Sequence, residues 1–332
     1  MERHRAIYPT ERPTLDLSGT GTELEILDLL QRFDVLPSHY IYAWVGRAPV
    51  TRWRLTRLMR GHYIGLLQGK DKFGLSEDAR LYARLRNVHY PLSIWPRGKA
   101  LLAKRGLWIE RERAGDQFDH KMFRSIVDWS FAFAAKQKRL TYETLGDIRM
   151  PPVEKPTHIP VPAMSDLVPD SFVKLEGKSN FFAHIEIDNN TETQFAAAEN
   201  SIQGKVKRYA EYVRRRAFVT RYDLPKVTIL FFFNKTGRVK TFLDVVKKTV
   251  PERDVQQRFA ALYVPDFRES FPPPTGWALQ PYERVGEPLN ILEIVNAERK
   301  SAKNLRASGH HQEGRGGAGA ANGGGPETRP TA

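Results

Sequence analysis

Three carboxylates, Asp170, Glu186 and Asp188, and one lysine, Lys205, are the residues of this 332-residue chain whose types and spacing best support chemistry. In Phe181-Phe182-Ala183-His184-Ile185-Glu186-Ile187-Asp188, polar and apolar residues alternate with a period of two, which predicts a strand. On that strand Phe182, His184, Glu186 and Asp188 share one face, and the two carboxylates stand about 7 Å apart. Asp170 opens the neighbouring β-like run, within Leu167 to Leu175, and a Glu176-Gly177-Lys178-Ser179-Asn180 turn joins the two as a hairpin. Carboxylates converging from adjacent strands make a hard-oxygen site for Mg²⁺ or Mn²⁺, the first requirement for hydrolysing a phosphodiester with metal-activated water.

A base or cation must then hold the phosphate, and the next element offers one. Residues Thr191 to Arg216 read as a helix with Phe195, Ile202, Val206, Tyr209 and Val213 on its buried stripe. Lys205 sits at the edge of that stripe, four residues before Tyr209, where a helix packed on the sheet can bring an ammonium beside Glu186. Glu192, at the start of this helix, and Glu143, in Thr141-Tyr142-Glu143-Thr144-Leu145, are further candidate acids. The plainer alternative is that Asp170 and Glu186 are charged strand ends with ordinary partners. Further along, Lys226 to Phe233 reads as a strand buried on both faces, Val239 to Val250 as a helix and Phe259 to Val264 as another strand, giving a mixed sheet with flanking helices.

The first third of the chain is patterned differently. Thr22 to Leu30 carries apolar residues at helical spacing, Ser38 is placed to cap a second helix containing His39 to Val45, and Pro49 to Arg60 forms a third, stopped by Gly61. Two β-like pieces follow, Tyr63 to Leu67 and Tyr90 to Trp95, with Lys70 to Asn87 between them, then a helix from Arg97 to Lys104. Three helices and a β-hairpin outline a winged helix-turn-helix. Arg52, Arg54, Arg57 and Arg60 fall on the third helix with no acid among them, the cation pattern that meets phosphates and base edges. An arginine-rich solvated face is the alternative. Trp44 and Trp53 are expected in the core. A long helix, Asp119 to Leu140, with Met122, Ile126, Trp129 and Phe133 on one stripe, then leads to the second half.

Composition narrows the classes. Lys and Arg number 52 against 38 Asp and Glu, a net charge of +14 that favours polyanionic partners. Residues 1–118 hold 20 Lys and Arg against 13 Asp and Glu, so half of that charge, +7, lies with the arginine helix. The absence of cysteine excludes disulfides, thiolate metal sites and a cysteine nucleophile, and fits a reducing cytoplasm. No signal peptide is expected, and apolar runs such as Ile229 to Phe233 are far shorter than a membrane span. The Gly- and Ala-rich stretch 301–332, which holds His310 and His311, reads as a disordered tail, and the prolines from Pro151 to Pro162 read as a connector.

Pro169-Asp170 followed by Glu186-Ile187-Asp188 resembles the PD-(D/E)xK nuclease core. The longer phrase, which runs on through Asn189-Asn190-Thr191-Glu192 to Lys205 and Tyr209, is similar to the replication-relaxation family of bacterial plasmids, phages and integrated elements. That resemblance covers most of residues 18–265 and implies a winged helix followed by a nuclease-like domain. It also implies that Lys205 stands in for the usual third-motif lysine, whose position Asp188 occupies. The expected fold class is therefore α/β, α+β as a whole. A winged helix over 18–118 precedes a mixed-sheet PD-(D/E)xK-like domain over 119–300 and the tail.

Two functions remain open at this point. One is an Mg²⁺- or Mn²⁺-dependent endodeoxyribonuclease acting on double-stranded DNA, with Asp170, Glu186 and Asp188 holding the metal. The other is a non-catalytic DNA-binding regulator or replication accessory built on a degenerate nuclease fold. Homodimerisation and contact with replication or mobilisation proteins are open partner readings, and no membrane partner is expected. A tyrosine relaxase is disfavoured because no His-x-His cluster accompanies a candidate tyrosine.

Overall fold

The computed structural model describes residues 21–46, 48–66, 91–108, 118–144, 159–161, 164, 166–188, 201–264 and 276–297. Glu192, the tail and most of the proline connector lie outside the described residues. The fold is mixed α/β, with a small antiparallel sheet and a six-stranded mixed sheet.

The small sheet belongs to the first third. Helix α1 (Gly21–Phe33) buries Ile26, Leu27, Leu29, Leu30 and Phe33; strand β1 (Leu36–Pro37), α2 (Ser38–Val45) and α3 (Ala48–Arg60) follow. Pro37 rather than Ser38 is the N-cap of α2, because Ser38 already lies in the first turn. Gly46 ends that helix at φ 72°, a left-handed conformation that suits glycine. Strands β2 (Ile64–Leu66) and β3 (Pro91–Ile94) then pair antiparallel, and the order across the sheet is β1-β3-β2. β1 escapes sequence reading because two residues carry no periodicity. Helix α4 (Pro96–Lys104) starts with Pro at a position whose N–H needs no partner. Two glycines permit the close packing here: a Cβ on Gly65 would lie 1.7 Å from the Trp95 ring, and one on Gly98 would lie 2.3 Å from the Tyr63 carbonyl.

Helix α5 (Phe118–Lys138) was expected to pack along one stripe, but it is buried on more than one side. Met122, Ile126 and Trp129 are buried as read; so are Phe123, Val127, Phe131 and Ala135. Trp129 meets Tyr40 of α2 edge-on at 4.7 Å and stacks on Phe133 at 4.6 Å, while Phe131 meets Phe232 of the large sheet. One continuous core thus runs from Ile26 and Leu30 through α5 to Val173, Ile185 and Leu230.

The large sheet comprises β4 (Thr141–Thr144), β5 (Ser171–Glu176), β6 (Asn180–Asp188), β7 (Thr228–Phe233), β8 (Phe259–Tyr263) and β9 (Glu283–Arg284), in that spatial order. β4, β5 and β6 are antiparallel neighbours, β6, β7 and β8 are parallel, and β9 is antiparallel again. β5 begins at Ser171, later than the apolar run suggests; Leu167 instead bridges to Ile159. Helices α6 (Ile202–Arg214), α7 (Ala217–Tyr222), α8 (Thr236–Thr249) and α9 (Arg253–Gln256) follow in the crossovers. A second core of Phe172, Phe182, Val206, Tyr209, Phe231 and Phe242 fills the sheet face opposite α5. The short helix α10 (Ile291–Asn296) clamps the β5–β6 turn, whose Ser179 donates its N–H to the Val295 carbonyl at 3.1 Å and its hydroxyl to that of Ala297 at 2.7 Å.

Candidate functional site

Strand alternation in β6 divides its side chains between the two cores. Phe181, Ala183, Ile185 and Ile187 join the α5 side, whereas Phe182 joins the α6 side together with the polar residues of the same parity, His184, Glu186 and Asp188. All three polar residues are buried. A buried polar group needs a partner, and each finds one on a helix.

Glu186, at 2% exposure, accepts the Lys205 ammonium on Oε2 and the Tyr209 hydroxyl on Oε1, both at 2.6 Å. Lys205 and Tyr209 are one helical turn apart on α6, so a single rotational setting of the helix delivers both. That setting is fixed at the start of α6, where Ser201 Oγ accepts the Gly204 N–H at 3.0 Å. The pair expected from spacing is therefore formed. Burial, and after it the Asp170 carboxylate, pushes Glu186 up to about 7 against the pull of Lys205. Burial and the same Glu186 raise Tyr209 well above the ordinary tyrosine range.

Asp170 stands one residue before β5 and across from Glu186, since Ser171 pairs with Ile185. Its Oδ2 accepts the Ile187 N–H at 2.7 Å, and its Oδ1 lies 2.8 Å from His120 Nε2 on α5. Burial opposes ionisation here, but the His120 hydrogen bond and the Lys205 charge outweigh it and hold the carboxyl below its usual range. His120 was not among the residues singled out by sequence: it lies 50 positions away on a helix that read as packing alone.

The remaining candidates are dispersed. Asp188, 2% exposed, pairs with Arg238 in the first turn of α8 rather than joining the other two carboxylates. Glu143 lies on β4 and pairs with Lys174 at 2.9 Å, away from Asp170 along the strands. Among the described residues there is no group of three His, Cys, Asp or Glu disposed to hold a metal ion. Asp170 and Glu186 remain as a two-carboxylate site with Lys205 beside it. His184 is walled in by Phe172, Tyr209, Tyr212 and Tyr222, with its Nε2 3.0 Å from the Tyr212 hydroxyl; burial depresses it to about 3, so it is neutral.

The arginine helix α3 is organised by an acid that lies far away in sequence. Glu23 of α1, fully buried, pairs with Arg54 and lies 3.7 Å from Arg57. Arg52 and Arg60 are exposed. Trp53, expected in the core, is instead 55% exposed, with the Arg57 guanidinium 4.6 Å over its ring. The helix already has a complete buried stripe in Thr51, Leu55, Leu58 and Met59, and Trp53 falls on the opposite side. Trp44 does pack inward, against Phe33, Trp129 and Phe133.

Comparison with known protein families, with curated proteins and with solved structures finds no match to this chain. Among the described residues no helix is long and apolar enough to cross a membrane.

Proposed function

We propose that this is a DNA-binding protein of a plasmid or other mobile element that holds duplex DNA on α3 and hydrolyses a phosphodiester at the Asp170–Glu186–Lys205 cluster. The observation that carries this reading is the 2.6 Å contact of Lys205 with Glu186, beside Asp170 on the adjacent strand end. Support for a winged helix comes from the order α1-β1-α2-α3-β2-β3 with β3 central in its sheet. Support for a PD-(D/E)xK-like fold comes from a helix, three antiparallel strands, a second helix and a parallel strand, taken in chain order from α5 to β7. The mobile-element assignment rests on the likeness of the Pro169-to-Tyr209 phrase to the replication-relaxation family.

The donor set suits a divalent cation. Asp170 and Glu186 stand on adjacent strand ends, and burial, followed by the Asp170 carboxylate, raises Glu186 although Lys205 opposes it. Asp170 and Glu186 would hold Mg²⁺ or Mn²⁺, which when bound activates water and neutralises charge on the phosphate. Lys205 steadies the scissile phosphate or the incoming water, Tyr209 fixes one oxygen of Glu186, and His120 fixes one oxygen of Asp170.

A second reading, a non-catalytic DNA-binding regulator or replication accessory, draws support from Asp188 being taken up by Arg238 and from both Glu186 oxygens being engaged. Incubation with supercoiled plasmid, with Mg²⁺, Mn²⁺ or chelator, separates the two. Metal-dependent cleavage that falls at least about a hundredfold in Glu186→Gln is expected. Retardation of an intact plasmid under every condition would favour the regulator.

A further inference from the structure

An exposed tryptophan at the centre of a cationic helix face is the feature that the proposed function leaves unused. With Thr51, Leu55, Leu58 and Met59 turned into the core, a rotation of about 100° per residue puts Trp53, Arg57 and Arg60 on the outward side of α3. Trp53 is 55% exposed and Val50, one turn earlier, 46% exposed, so the patch is apolar at its middle and cationic at its margins. The ring is also held in place. Arg57 lies 4.6 Å over one face, and its guanidinium is anchored in turn 3.7 Å from the fully buried Glu23.

We infer that Trp53, backed by Arg57, is the base-reading side chain of α3, and that its partner is the major groove of duplex DNA. The inference rests on the DNA-binding reading above and assigns roles within it. The helix itself carries four arginines and no acid, which is complementary to a polyanion, while Glu23 of α1 lies buried beneath it. Arg52 and Arg60, exposed on either side, fit phosphate contacts, which give affinity without sequence information. A pre-ordered indole offers what a base edge can read: an apolar surface for a thymine methyl and an N–H donor for a purine N7 or a carbonyl oxygen. Arg57 serves as its support, since a planar guanidinium stacks on the ring and a lysine ammonium does not.

The test is selection of full-length protein on a randomised double-stranded oligonucleotide pool, with Trp53→Ala, Arg57→Lys and Arg52→Ala run in parallel. Wild type should enrich a motif. Trp53→Ala should flatten at least one motif position, with about a tenfold loss of preference there, while retaining bulk binding to unselected duplex. Arg57→Lys should weaken the same position, and Arg52→Ala should lower affinity for all sequences alike. An unchanged motif in Trp53→Ala overturns the inference and leaves DNA binding standing, as does duplex binding by wild type with no motif at all. Failure of wild type to retain any duplex overturns the DNA-binding reading and this inference together.

Discussion

The two charged regions of the molecule differ in where they keep their charges. On α3 four arginines, Arg52, Arg54, Arg57 and Arg60, lie along a helix that has no acid of its own, and Glu23 of α1, fully buried, pairs with Arg54 and lies beside Arg57. At the sheet, three buried or largely buried acids, Asp170, Glu186 and Asp188, are set against Lys205, Arg238 and the His120 ring. The first region places Arg52 and Arg60 at the surface, where cations can meet a polyanion. The second pairs its acids with basic partners below the surface. A single net charge of +14 conceals this division.

The strongest way to break the contrast is through stability. Arg238→Ala removes the guanidinium from a carboxylate that is 2% exposed and should cost about 3–5 kcal/mol. Arg52→Ala, on the open face of α3, should stay within about 0.5 kcal/mol. Chemical denaturation of both variants checks this; equal losses would mean that the two regions do not differ as described.

Acidity sharpens it next, because two residues on one face of β6 act with opposite sign. His184 is depressed from 6.5 to about 3, so the stability it contributes is present above pH 6.5 and lost as pH falls toward 3. Glu186 is raised from 4.5 to about 7, so its contribution is present below pH 4.5 and lost as pH rises through 7. Melting temperature against pH should therefore lose its acid-side fall in His184→Gln and its fall between pH 4.5 and 7 in Glu186→Gln, each by up to a few kcal/mol.

Cation binding gives a smaller effect. Mg²⁺ at a hundred times its dissociation constant should stabilise the wild type by about 2.7 kcal/mol, seen as a thermal shift, and leave Glu186→Gln unmoved. Smallest is the salt dependence of DNA binding. Arg60→Ala should lower the slope of log affinity against log salt by about 0.9, and Arg238→Ala should leave it unchanged.

Much of this arrangement was legible in local pattern. Parity along a strand put Glu186 on the face opposite Ile185 and Ile187, and i, i+4 spacing put Lys205 beside Tyr209; both elements formed, so the pair met. What escaped is non-local. His120 reaches Asp170, Glu23 reaches Arg54, and Arg238 reaches Asp188 across 50, 31 and 50 positions, and nothing in a run of residues signals which distant element will be adjacent. Trp53 was misassigned for another reason: its apolar character suggested burial, although the helix stripe was already filled by Leu55, Leu58 and Met59. The short elements β1, β9, α7, α9 and α10 offer too few residues for a period to register.

The most direct measurement is the rate of supercoiled-plasmid cleavage in Mg²⁺ for wild type, Lys205→Ala and Asp188→Asn, each first confirmed as folded by circular dichroism. Metal-dependent cleavage by wild type, reduced at least about a hundredfold in Lys205→Ala and by no more than a few-fold in Asp188→Asn, is the expected result. Cleavage that survives in Lys205→Ala, or no cleavage by a wild-type protein that binds the plasmid, would contradict a catalytic Asp170–Glu186–Lys205 site.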